Sequence, residues 1–398
     1  MVLQTEFAQI KGNDLYIDDV KATDLVKQYG SPLYVMSEGH IRKQFNTLKT
    51  KMIDKYENTL PLFASKSFSC KAIYKLAMEY GVGIDCVSAG EISVALKAGF
   101  DPKKIYFHGN NKLPSEIQYA LENGVENFVI DNFYEIELVE EIASKLNVMV
   151  NGLVRITPGV YAGGHDYIRV GAKDTKFGFS SHDNTYLKAI KKVIDAPHIN
   201  FDGIHCHVGS QIEEIQAYVL AMNKFVDIAY EIYDIFGIVI NKLNAGGGFG
   251  IQYTASDHPL EFDDVVSTIM DIIYKGFDRR NMKRPMVLVE PGRYCVGNAG
   301  ITSLGTRYKV RHRAEFGISI LKEFWGLGIG KALTNACISC AKEAGYEQLE
   351  LEVVAENTSA VALYKKAGFV EFGRNPKGFK SRISGYQELV SMRLELDK

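Results

Sequence analysis

At 398 residues the chain exceeds one ordinary domain of about 150 residues, so two or three domains are expected, or two if one is a (β/α)8 barrel of about 250 residues. Hydrophobic residues make up 46% and charged residues 24%, near the average for soluble globular proteins, which excludes a disordered or fibrous chain. Lys plus Arg number 46 and Asp plus Glu 48, a net charge of −2, so no basic excess calls for nucleic acid and no acidic tail is expected.

Residues 1–19 carry charges throughout and lack the apolar stretch of a secretory signal. No apolar run approaches the roughly 20 residues that span a bilayer, so no membrane partner is expected. Six cysteines are thinly spread, and a cytoplasmic chain with reduced thiols is expected. Cys337 and Cys340 form a CxxC pair inside a helix-patterned stretch, with no second pair to complete a metal site.

Short apolar runs of strand character recur at 62–64, 83–87, 105–108, 127–130, 153–157, 203–207, 242–245 and 286–289. Amphipathic segments such as 70–80 and 114–123 lie between most of them. This alternation describes an α/β fold with a parallel sheet. Eight runs suit a closed barrel, and an open doubly wound sheet accounts for the same pattern. After Gly305 the character changes. A basic stretch at 306–313 is followed by a strand at 315–320, a Gly-rich turn, a helix at 331–344, a strand at 348–353, a helix at 359–367 and a strand at 388–394. A domain boundary is expected near 305–313, giving domains 1–305 and 306–398.

Polar residues and glycines gather where the apolar runs end. Lys66 closes the first run, Asp85 the second (with Glu91 six residues on), and Arg155 is placed at the end of the fifth. His205 and His207 close the sixth within an HxHxGS stretch ending at Ser210. Gly246, Gly247 and Gly248 follow the seventh, and Glu290, Pro291, Gly292 and Arg293 follow the eighth. Barrel enzymes build their sites at these C-terminal strand ends. Each residue type has a use there. A buried lysine amine is freed for Schiff-base chemistry, whereas alone it reads as a snorkelling surface charge. Consecutive glycines let backbone amides approach a phosphate, or simply make a tight turn. An imidazole at His207 can stack on a planar ring. A carboxylate at Glu290 can hold a proton on a pyridine nitrogen, and Arg293 can clamp a phosphate or carboxylate.

Taken together, Lys66, the stretch from His205 to Ser210, the triple glycine and Glu290 to Arg293 resemble the alanine-racemase-like pyridoxal-phosphate decarboxylases over about residues 5–305. The stretches Phe107 to Lys112, His165 to Ile168 and Lys176 to Phe179 are similar to the diaminopimelate-specific branch of that family. The resemblance implies that Lys66 binds the cofactor covalently and that His207 stacks on its ring. It implies that Ser210, Gly246, Gly247, Gly248 and the turn from Glu290 through Pro291 and Gly292 to Arg293 hold the cofactor, with Glu290 facing the pyridine nitrogen. Asp85, Glu91 and Arg155 line the site, and Arg293 reaches substrate. The implied catalytic set is Lys66, His207 and Glu290. The implied reaction turns meso-diaminopimelate into L-lysine and carbon dioxide, with a small amino acid as substrate and a homodimer as the assembly. The family carries a β-sandwich after the barrel, with a Cys-Glu-Ser-Gly-Asp stretch that protonates the product and a Gly-Ala-Tyr stretch near the cofactor. Neither stretch occurs after Gly305.

Residues 325–330 instead form a Gly-rich turn, with Gly326, Gly328 and Gly330, before a helix. Backbone amides at such a helix start make an anion site. Ala332 after Lys331 argues against a P-loop, and the GxGxG spacing argues against a dinucleotide fingerprint. With Asn357 and Tyr364 in the stretch 357–369, residues 312–396 resemble the second half of a GNAT acetyltransferase. That resemblance implies acetyl-CoA as a ligand, with Asn357 on the pantetheine arm and Tyr364 protonating the thiolate; a capped amphipathic helix with a core tyrosine is the alternative. Three functions are therefore carried forward: a decarboxylase, an acetyl-CoA-dependent N-acetyltransferase, and an inactive fusion of two truncated enzymes.

Overall fold

The computed structural model describes residues 7–12, 14–30, 33–159, 177–252, 257–297, 300–302, 313–315, 329–343, 346–381 and 385–396. The chain divides into two compact units: Met1–Ala22 with Met36–Gly300, and Thr23–Val35 with Ile301–Lys398.

Among the described residues eight strands form the barrel of the first unit: β1 (Thr59–Ala64), β2 (Gly83–Cys86), β3 (Ile105–Phe107), β4 (Asn127–Ile130), β5 (Val150–Thr157), β6 (Ile199–His205), β7 (Lys242–Asn244) and β8 (Met286–Val289). Each pairs in parallel with its neighbour in sequence. Val287 of β8 sits opposite Thr59 of β1, so the sheet closes on itself. Ring closure decides for the barrel and against the open sheet. Each strand lies between a buried outer layer and the barrel axis, which is why the runs read as nearly continuous apolar stretches.

Alternate side chains serve different layers. Leu62, Tyr106, Val129, Leu153 and Leu288 form one small buried cluster, and we place it on the barrel axis. Phe63, beside Leu62 in sequence, belongs to the large cluster under the helices and meets Phe45 edge-on at 5.7 Å. At the N-terminal end Lys242 reaches Asp202 at 2.7 Å and Asn127 Oδ1 at 2.9 Å, and its ammonium lies 5.2 Å from the Tyr106 ring centre. That polar stopper closes the floor.

Some helices start on a side chain that satisfies an orphan backbone amide. Helix α1 spans Lys71–Glu79 and α2 spans Ala89–Lys97, with Ser88 Oγ accepting from the Glu91 amide at α2's start. Then follow α3 (Pro114–Glu122), α4 (Phe133–Leu146), α5 (Thr185–Ile194), α6 (Ile215–Phe236) and α7 (Phe262–Arg279). Asn132 Oδ1 caps α4, which stops at Asn147 in the left-handed region; α6 stops the same way at Gly237, φ 70°.

In the second unit, β9 (Arg313–Glu315) runs parallel to β10 (Gln348–Val354). β12 (Gly385–Glu395) pairs antiparallel with β10 and with β11 (Val370–Ser381), giving the order β9-β10-β12-β11. Helices α8 (Ile329–Glu343) and α9 (Thr358–Lys366) complete it. Leu349, Leu351, Val353, Tyr364, Phe369, Val390 and Met392 form its own core. The strand expected at 315–320 is described only as far as Glu315, and the rest lies outside the described residues. The 12-residue β11 had no counterpart in the expected elements.

Candidate active site

The C-terminal strand ends converge as expected, with adjustments. Lys66 lies not in β1 but on the single 3-10 turn Ser65–Ser67 just beyond it, and it is exposed rather than buried. The turn leaves the strand at Ala64, so its second residue faces the open mouth. Tyr74 Oη donates to Ser65 Oγ at 3.1 Å and Ser67 Oγ donates to the Ala64 carbonyl at 2.7 Å, which fixes the turn from beneath. A Cβ on Gly292 would stand 3.0 Å from Ala64 Cβ, so the turn after β8 packs directly on the lysine's turn. Pro291 precedes that glycine, and its carbonyl accepts the Ala64 amide at 3.3 Å.

Glu290 is buried at the end of β8. Its Oε1 accepts from Asn244 Nδ2 at 2.7 Å, and its Oε2 lies 3.3 Å from His205 Nε2. His108 Nε2 approaches Oε1 at 2.8 Å and Asp85 Oδ1 at 4.0 Å. Burial pushes the Glu290 carboxyl up, but His108 and then His205 outweigh it and hold the group well below the usual carboxylate range. Asp85 is fully buried with no hydrogen-bond partner for either oxygen among the described residues, and burial raises its pKa despite His108. Burial lowers His205 to about 3 and His207 to about 4, so both rings are neutral at neutral pH. His207 Nδ1 accepts from the Gly247 amide at 3.2 Å, which leaves the proton on Nε2.

The triple glycine is demanded by packing. Gly246 has φ 72° and a Cβ there would meet the Cys206 carbonyl at 2.2 Å. A Cβ on Gly247 would meet the Glu290 carbonyl at 2.5 Å, and one on Gly248, φ 97°, would meet Ile212 Cδ1 at 2.6 Å. Two of the three amides are already engaged, Gly246 with Asn244 Oδ1 at 2.9 Å and Gly247 with His207. Beside them Arg293 Nη2 donates to Ser210 Oγ at 3.1 Å, on an exposed rim.

On the opposite side Arg155 Nη1 pairs with Asp131 Oδ1 at 3.4 Å and lies over the Phe177 ring at 4.8 Å. Glu91 Oε2 accepts from the Val87 amide at 2.8 Å, and burial raises its pKa. The charges of Glu290, Lys66, Arg155 and His108 all reach His207.

His108, Asn244 and Asp131 have no role in the sequence reading. His108 and Asp131 did leave a signal, since each is a polar residue where an apolar run ends, and Asn244 interrupts the run at 242–245. The expected stretch His165 to Ile168 and Lys176 lie outside the described residues, as do Gly326 and Gly328. In the second unit Gly330 is half-buried in α8. Asn357 Oδ1 accepts from the Ala360 amide at 3.2 Å as the cap of α9. Tyr364 is buried against Phe369, and burial raises its pKa.

Comparisons with known proteins agree with the geometry of the barrel. The family model for the pyridoxal-dependent decarboxylase, pyridoxal binding domain, matches residues 38–297. The model for the acetyltransferase (GNAT) family matches residues 252–369, starting within the barrel unit. A diaminopimelate decarboxylase of Bacillus subtilis (strain 168) is 40% identical over 302 residues, covering 76% of this chain and 69% of that one. One of Staphylococcus aureus (strain COL) is 37% identical, covering 73% of this chain and 68% of that one. The crystal structure of diaminopimelate decarboxylase from M. jannaschii in complex with L-lysine superposes with a TM-score of 0.70 at 32% identity, over 76% of this chain and 70% of that one. A closed parallel barrel with Lys66, His207, the triple glycine and Glu290 at its C-terminal strand ends, and these matches along three quarters of its length, make the chain a member of the pyridoxal-dependent decarboxylase family.

Proposed function

We propose that this chain is a pyridoxal-phosphate-dependent carboxy-lyase that converts meso-diaminopimelate into L-lysine and carbon dioxide. The observation that carries it is Glu290, an ionised carboxylate buried at the floor of the mouth. A carboxylate offers about four lone-pair sites. Asn244 and His205 take two and His108 Nε2 stands 2.8 Å from Oε1, which leaves one for a ring N–H.

Pyridoxal phosphate fits the residues present. The triple glycine lets the backbone pass against the Cys206 and Glu290 carbonyls and keeps side chains out of the turn beside Glu290 and His207. Arg293 and Ser210 stand beside it as a cationic and hydroxyl pair for a phosphate. The neutral His207 ring, pinned by the Gly247 amide, offers a face for stacking. Lys66 supplies an amine at the open mouth for covalent attachment. When bound, pyridoxal phosphate supplies an electron sink for the electron pair left as the α-carboxylate departs as carbon dioxide. Glu290 keeps a proton on the ring nitrogen. Asp85 and Glu91 set the charge around Lys66, whose charge both of them feel. Arg155, held by Asp131 and Phe177, and Arg293 are the cations available to substrate carboxylates.

The test is carbon dioxide release from meso-diaminopimelate, with the visible absorbance of the bound cofactor, for the chain and for Lys66→Ala. We expect a yellow band and release from the chain and neither from the variant. An unchanged band in the variant would overturn the lysine's assignment. A band without release would mark a fusion of two truncated enzymes in which only cofactor binding survives.

Acetyl-CoA-dependent acetyl transfer is supported by the GNAT family match, but Asn357 already caps α9 and Tyr364 is packed in a core, so decarboxylation is preferred. We further assign residues 1–305 to the cofactor-binding domain and 306–398 to the GNAT-like one. A homodimer is proposed from the family resemblance and is checked by light scattering. A reducing, cytoplasmic setting is proposed from the free thiols at Cys70, Cys86, Cys206, Cys295 and Cys337.

A further inference from the structure

Four buried groups meet at the floor of the mouth, each brought by a different strand. Asp85 lies in β2, His108 just past β3, His205 at the end of β6 and Glu290 just past β8. One ligand atom each from His108, His205 and Glu290 lies within 4.8 Å of the other two. His108 Nε2 stands 2.8 Å from Glu290 Oε1, yet that nitrogen has no hydrogen-bond partner among the described residues. His205 Nε2 stands 3.3 Å from Glu290 Oε2. Asp85 Oδ1 is 4.0 Å from His108 Nε2, and neither Asp85 oxygen has a hydrogen-bond partner among the described residues.

A nitrogen this close to a carboxylate oxygen, with no proton aligned between them, sets two electron-rich atoms side by side. A cation lodged beside both relieves the contact. Among the described residues no lysine or arginine pairs with either acid, and Arg155 is committed to Asp131. Two buried carboxylates without a counter-charge are costly. A dication cancels both charges at once. Zinc takes imidazole nitrogen and carboxylate oxygen at about 2.0–2.2 Å, so a tetrahedral shell sets such atoms about 3.3–3.5 Å apart. The nitrogen–oxygen distances of 2.8 and 3.3 Å are already near that spacing. Imidazoles suit zinc, cobalt or iron(II), whereas magnesium and calcium ask for a shell of oxygens.

We propose that His108, His205 and Glu290 bind a divalent transition metal of the zinc class, with Asp85 as fourth ligand, and that this metal and pyridoxal phosphate exclude one another. The exclusion rests on the proposed function, in which Glu290 meets the ring N–H and so cannot serve both. The metal site itself rests on the four side chains alone.

The experiment is equilibrium dialysis of zinc into the full chain, cleared of metal with a chelator and of cofactor with hydroxylamine, with and without saturating pyridoxal phosphate. Zinc held by free pyridoxal phosphate is measured in a protein-free cell and subtracted. The same is done for His108→Gln, His205→Gln and Cys337→Ser, with thermal unfolding to confirm that each folds. Cobalt(II) in place of zinc reports the ligands through its visible spectrum. We expect one zinc per chain, visible cobalt bands without a thiolate charge-transfer band, and an apparent affinity at least tenfold weaker when pyridoxal phosphate is present. Each histidine variant should bind zinc about a hundredfold more weakly, at the upper end of the 10–100-fold that losing an outer partner costs. Cys337→Ser should bind as the unsubstituted chain does. Zinc kept by both histidine variants, or lost in Cys337→Ser, would overturn the site. So would no zinc binding by the unsubstituted chain, and the proposed function would stand. Zinc affinity unchanged by bound pyridoxal phosphate would overturn the exclusion. No binding of pyridoxal phosphate would overturn the proposed function and the exclusion with it, while the histidine variants still decide the metal site.

Discussion

His205 Nε2 lies 3.3 Å from Glu290 Oε2, and burial holds the ring neutral by lowering its pKa to about 3. In the unfolded chain an imidazole takes its proton near about 6.5. Between those values the unfolded state binds the extra proton, so stability is full above the upper value and falls as pH drops through the window. We expect the Tm to fall between about pH 7 and 4, and to fall less steeply in His205→Gln; equal slopes in the two would reject this origin. Gly246 is a second test at this scale. With φ 72° and the Cys206 carbonyl 2.2 Å from any added Cβ, Gly246→Ala should cost about 1–3 kcal/mol and release the cofactor, read by denaturant unfolding and dialysis. Of the site, His207, the glycines and Glu290 were legible because polar residues closing apolar runs stand out. His108 gave the same signal at the end of the run 105–108, but its closeness to Asp85 and Glu290 was not legible, because two other strands carry them.

At the scale of elements, the loop after β3 is tied to the start of α4 by one buried lysine. Lys112 Nζ donates to the Gly109 carbonyl at 2.8 Å, the Val129 carbonyl at 2.9 Å and Glu135 Oε1 at 2.6 Å. Glu135 Oε2 accepts the Asp131 amide at 3.0 Å, so the same pair steadies the partner of Arg155. Lys112→Met leaves Glu135 buried without its cation and should cost about 3–5 kcal/mol in urea unfolding. The double variant with Glu135→Leu should recover part of that loss; a single variant as stable as the parent would show the pair to be idle. The eight strands were legible because both faces of a closed parallel sheet are apolar. Their starts were less so. β5 begins at Val150 and β6 at Ile199, earlier than the runs at 153–157 and 203–207, because Asn151, Gly152, Asn200 and Asp202 interrupt the apolar pattern near the barrel floor. β11 escaped notice because Gly373, Asn375, Pro376 and Gly378 break its alternation. Pairing with β12 holds it, through two register shifts.

For the whole molecule, the GNAT-like unit presents an outer strand. β11 ends the described sheet, with Val370 69% and Phe372 52% exposed. An apolar sheet edge invites pairing with another chain. We expect light scattering to show association that rises with concentration and is reduced in the double variant Val370→Lys with Phe372→Lys; unchanged association would clear the edge of the charge. The barrel carries a consequence of a different kind. β8 hydrogen-bonds to β1, and the proposed site takes Lys66 from one side of that seam and Glu290 from the other. Contacts between such distant parts of a chain form late, since the loop between them must first be closed. A growing chain thus has half of the pocket long before it has the other half. Capture of pyridoxal phosphate during synthesis would then mark the moment at which the ring shuts, and a chain stopped before residue 290 would remain colourless however well its first seven strands had formed.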